Sequence, residues 1–174
     1  EKRRGISWSD MAVLLRSVKA NGAPVTQALA AANIPYVVAG MNNLFDTREA
    51  EAARQLFYFM ANRPDLDVAT LEATWVRARV GALASDLKQA IVNVEKAKAA
   101  LGEPDQKRWG FYSLQREFLT FLEDAAIREE NVPEGRGEVV FYNLGKFSQL
   151  ISDFETIHYH SKPVEKYDAF AGFL

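Results

Sequence analysis

Apolar and polar positions change rhythm once along this chain, near Gly40. Before it the apolar residues come in short unbroken runs. Met11–Leu15 is one, closed by Arg16 and Ser17, and "YVVAG", 36–40, is a second, β-branched one. Runs of this length and composition predict buried strands. The alanine-rich stretch between them predicts a helix, with Pro24 suited to its first turn and its end at Asn33, before Pro35. Strand, helix and strand in so short a span form a βαβ unit, whose strands run parallel through a right-handed crossover. Two strands alone are marginal, so the unit calls for a larger sheet.

After Gly40 the spacing becomes helical. Asp46 with Glu49 resembles a capping box, and Thr47 is a competing cap. Ala53, Leu56, Phe57 and Met60 then share one face. "NRPDLD" breaks this helix, and the stretch 68–102 reads as one interrupted helix or two consecutive ones, with Gly81 the interruption and Gly102 the stop. Leu114, Phe118, Phe121, Leu122 and Ala125 form another stripe, and "REENVPEGRGEVVFYN", 128–143, reads as a loop. Phe147, Leu150, Ile151, Phe154 and His158 mark the next helix, and Pro163 opens the last. No internal repeat is visible. The pattern predicts a mainly α chain, a helical body preceded by a small βαβ remnant of an α/β domain.

Composition narrows the class. The 174 residues are 48% hydrophobic and 25% charged, which is the profile of a globular protein. No apolar run approaches the roughly 18 residues of a membrane span, and "EKRRGISWSD" has no apolar stretch behind its charges. A cytoplasmic protein with no membrane partner is expected. The absence of cysteine excludes disulfides, thiolate metal sites and cysteine nucleophiles. With 21 basic against 23 acidic side chains, the balance argues against strong autonomous binding of duplex nucleic acid, which draws on counterion release by basic groups.

No catalytic constellation emerges. Gly145 and Lys146 have the look of a P-loop end, but Val140 and Phe147 stand where that loop needs Gly and Ser or Thr. The pair reads instead as a helix start after a turn. Asp153 and Glu155 read as the solvated side of a helix. Neither a metal site nor a bound cofactor is expected. "QKRWGFY", 106–112, sets Lys107 and Arg108 among Trp109, Phe111 and Tyr112. Such a mixture holds single strands by stacking, although aromatics more often pack a core.

The order and spacing of Ala12, Val13, Leu14, Arg16 and Ser17, then Ile34, Pro35, Tyr36, Gly40, Phe45 and Glu49, resemble the UvrD/Rep/PcrA family of superfamily 1 DNA helicases. The likeness is strong over the first third. "YNLGKFSQLISDFETI" and "AFAGFL" also resemble segments late in that family's inserted helical subdomain. In such helicases two RecA-like motor domains bind ATP and Mg between them and move along single-stranded DNA. The resemblance implies that residues 1–38 end the second motor domain (2A) and that 39–174 form its helical insertion (2B). The chain then reads as a piece of a longer DNA helicase and DNA-dependent ATPase. Lacking Walker motifs, this piece would not hydrolyse ATP itself.

Carried onto this sequence, the likeness places Arg16 and Ser17 beside the single-strand channel. It makes Gly40, Asn42 and Asn43 one side of a hinge, with Phe45 anchoring the first helix of the insertion. The family's T-P-x-R-G-I-G segment, which contacts duplex DNA, corresponds to "TWVRARVGALAS", 74–85. That stretch lacks the Pro and second Gly, leaving Arg77, Arg79 and Gly81 as the nearest positions. The expected function is an accessory subdomain that orients the motor on a single-strand/duplex junction, with protein partners also admitted. The competing reading is a helical protein-interaction module with no DNA binding of its own. Salt-dependent affinity for DNA separates the two.

Overall fold

A computed structural model of the chain describes residues 8–16, 18–36, 38, 44–101, 112–158 and 160–174. It divides into two units, Glu1–Asn43 and Leu44–Leu174.

In the first unit the described residues contain one helix, α1 (Val18–Ala31), and a 3-10 turn at Trp8–Asp10. Met11–Leu15 is not a strand, and no strand occurs among the described residues. A strand exists only by pairing its backbone groups. Here Val13 and Leu14 stand 65% and 93% exposed instead. The second expected strand, 36–40, lies largely outside the described residues. Helix α1 starts six residues before Pro24 and runs through it. Proline removes a backbone donor there, and Thr26 Oγ1 donates to the carbonyl oxygen of Ala23 at 3.0 Å. The end falls where Asn33 predicts it. Asn33 takes φ 51°, with Ile34 N–H on Leu29 O and Asn33 N–H on Ala30 O, a Schellman closure.

The described residues of the second unit form six α-helices: α2 (Arg48–Met60), α3 (Val68–Ala78), α4 (Ala84–Ala100), α5 (Leu114–Asp124), α6 (Gly137–Ile157) and α7 (Pro163–Phe173). They pack as a ring, α2 on α3, α3 on α4, α4 on α5, α5 on α6 and α6 back on α2, with α7 laid against α2. Phe57 of α2 is the hub. Its ring centroid lies 4.7 Å from Phe170, 5.9 Å from Phe147 and 6.0 Å from Phe118 and Tyr167. On the far side of the ring Trp75 of α3 meets Phe121 of α5 at 4.8 Å. The expected stripe Ala53, Leu56, Phe57 and Met60 is buried, as are Leu114, Phe118, Phe121 and Ala125.

Two local expectations are corrected. Thr47, not Asp46, caps α2; its Oγ1 accepts from Ala50 N–H and donates to Leu44 O at 2.7 Å. The loop expected over 128–143 ends early, because α6 begins at Gly137. Val140 and Leu144 extend the buried stripe of Phe147, Ile151 and Phe154 at helical spacing. Gly145 and Lys146 therefore sit inside α6 rather than at its start.

Candidate nucleic-acid interface

The end of α3 and the turn joining it to α4 carry three of the five DNA-contact candidates, and the structure separates them. Helix α3 opens on Asp67, whose carboxylate accepts from Thr70 N–H at 2.8 Å. Bonding to Thr70 holds the Asp67 carboxyl below the usual carboxylate range. The helix closes on Arg79 in left-handed backbone, φ 54°. Val80 plugs the core at 1% exposure, and Gly81 takes φ 85°. A side chain at Gly81 would place its Cβ 2.8 Å from the backbone carbon of Asn131. Gly81 is thus required by a close backbone approach, and nothing about it depends on a ligand.

Beyond this turn α4 starts after Leu83, an extended residue whose side chain cannot accept a hydrogen bond. The first N–H groups of α4, at Ala84, Ser85 and Asp86, have no side-chain cap among the described residues. Ala84 and Ser85 are exposed. Oriented free donors at the positive end of a helix suit a phosphate oxygen. Asp86 in the first turn places a negative charge beside them, which opposes an anion. Arg79 points across to the neighbouring loop and pairs with Glu134, itself left-handed at φ 65°. Arg77 leaves the turn altogether. It is exposed on α3 and lines a groove between α2 and α3.

The other candidates lie elsewhere. Arg16 is exposed and outside any regular element. Ser17, Gly40, Asn42 and Asn43 fall outside the described residues. Phe45 lies in the 3-10 turn Leu44–Asp46, 36% exposed, with its ring edge-on to Phe147 at 6.4 Å.

Sequence reasoning passed over two buried polar clusters. Glu49, read as part of a cap, is 1% exposed and ties α2 to the start of α6. Arg136 donates to it at 3.1 Å and Asn143 at 2.6 Å. Glu155, read as solvated, reaches the start of α5 and accepts from Ser113 Oγ and the N–H groups of Leu114 and Gln115 at 2.7–3.2 Å. Lys166 of α7, 1% exposed, stands 3.7 Å behind it and donates to Tyr112 O at 2.7 Å. Tyr112 and Tyr167 share a hydroxyl hydrogen bond of 3.1 Å, and burial raises the pKa of both phenols. The aromatic at position 112 therefore packs and tethers helices. A single-sequence signal existed for Glu49 alone, since its register places it beside Ala53 and Leu56 on the apolar face.

Among the described residues no group of three or more His, Asp or Glu is placed to hold a metal ion, and no helix is long and apolar enough to cross a membrane. Comparison of the chain with protein families, curated proteins and solved structures finds no match.

Proposed function

We propose that the helical body is an accessory subdomain of a UvrD/Rep/PcrA-type DNA helicase, orienting a motor on DNA without an ATP site of its own. The observation that carries this reading is the ordered match from Ala12 to Glu49, with its separate elements in the family's sequence. The absence of strands among the described residues of Leu44–Leu174 accords with a helical insertion. The exposed, uncapped start of α4 supplies donors for a DNA phosphate where the family has its duplex-contacting segment. ATP and Mg belong to the motor part of the parent protein.

The test is an anisotropy titration of the chain with single-strand, duplex and forked DNA at low and moderate salt. Salt-weakened binding that Ala84→Glu reduces by about tenfold supports the reading. A negative charge at this position favours the helix, so the variant keeps or raises its Tm while losing DNA. Absence of binding at low salt, or binding indifferent to Ala84→Glu and Arg16→Ala, leaves the protein-interaction module as the better account. The pairing of Arg79 with Glu134 favours that second reading, because it commits a cation the DNA contact needs.

A further inference from the structure

The groove between α2 and α3 has a volume of about 440 Å³, within the 300–1,000 Å³ typical of sites that enclose a ligand. Tyr58, Pro64 and Leu66 give it apolar surface, and Thr70 and Thr74 give it hydroxyls. Its charges divide into spent and unspent ones. Glu51 is bonded to Arg54 and to Gln55 on its own helix. Arg63 is held by Asp168, through the carbonyl oxygen at 3.3 Å and the carboxylate at 3.5 Å. Arg77 and Asp65 have no partner among the described residues, and both are exposed at the groove. The groove therefore offers one free cation and one free anion beside apolar and hydroxyl-bearing surface.

We infer that this groove docks a short extended protein segment carrying an acidic side chain for Arg77 and a basic one for Asp65. Charge decides against a nucleic-acid strand. The lining carries two cations, Arg63 and Arg77, and two anions, Glu51 and Asp65, so a polyanion finds no excess of positive charge, whereas nucleic-acid sites accumulate it. A peptide meets both free charges with opposite ones, and such complementarity gives specificity and register. This inference stands apart from the DNA reading, which places its contact at the start of α4.

Panning a random octapeptide phage library on the full chain tests it. The expected result is enrichment of sequences with an acidic and a basic residue flanking an apolar one. Synthetic versions should bind about tenfold more weakly to Arg77→Ala and to Asp65→Asn, a loss typical of one charge-assisted contact. Both side chains are exposed, so an unchanged Tm should accompany the loss. Three results overturn the inference: no enriched sequence, enriched peptides indifferent to both variants, or displacement of the selected peptides by the oligonucleotide (dT)8. Each of these leaves the Ala84→Glu experiment on DNA unaffected.

Discussion

Gly81 and Ala126 occupy the same left-handed region of backbone space with opposite consequences. At Gly81 the backbone of Asn131 and Val132 leaves no room for a Cβ. Gly81→Ala should therefore cost about 2–3 kcal/mol, from strain and from separating the α3–α4 turn from its neighbour loop. Ala126 closes α5 in a Schellman geometry, φ 49°, with Ile127 N–H on Leu122 O and Ala126 N–H on Glu123 O. A methyl in this conformation costs roughly 1–2 kcal/mol, against about 0.5–1 for the greater freedom glycine loses. Ala126→Gly should then stabilise by about 1 kcal/mol and raise Tm by about 3 °C. Calorimetry of the two variants checks both signs, and a destabilised Ala126→Gly would refute the strain argument. Glu49 gives the largest expected loss. Removing its carboxylate strands Arg136 and Asn143, so Glu49→Ala should cost about 3 kcal/mol in urea unfolding. Glu49→Gln keeps an acceptor for Asn143 and should cost less.

The helices were legible where their order came from local sequence. Apolar spacing marked α2, α5 and the later part of α6, Asn33 marked the end of α1, and Pro163 the start of α7. What failed was whatever depended on a distant partner. Nothing near Leu114 announces that Glu155, near the far end of another helix, will cap α5, nor that Lys166 will sit buried behind it. The same holds for Met11–Leu15, where strand propensity describes a fit to neighbouring strands and none are present among the described residues. At the site, residue types were legible and their placement was not, since Arg77 and Arg79, two positions apart, face different neighbours. Packing between elements also sets a pH response. Glu117 of α5 borders an apolar cavity of about 30 Å³ with Phe57, Phe118 and Tyr167, and burial raises its carboxyl above the usual range, with Arg116 opposing. Its folded pKa exceeds its unfolded one, so the charged form is penalised. Stability from this group is full below the unfolded value and is lost as pH rises through the folded one. Glu117→Gln should therefore raise Tm near neutral pH, and the gain should vanish on acidification below the ordinary carboxylate range. A gain that persists at low pH would point to packing rather than ionisation.

At the scale of the whole molecule the helical body carries its own hydrophobic core. Among the described residues, every member of the buried apolar cluster lies between Ala50 and Phe170. The division at Asn43 therefore separates a core-bearing unit from a lead whose described apolar residues Val13 and Leu14 are largely exposed. Under the proposed function, a subdomain that swivels on a motor has to move as one body, with rotation absorbed in a few connecting residues. This requires that the body's stability not depend on the lead. The chain 44–174 should accordingly fold alone, with near-native helicity and a Tm within about 3 °C of the full chain, the shift that roughly 1 kcal/mol produces at this size. Thermal unfolding followed by circular dichroism measures it directly. Loss of cooperative unfolding in the truncated chain would mean that residues 1–43 complete the fold, and a swivel at the junction would lose its mechanical basis.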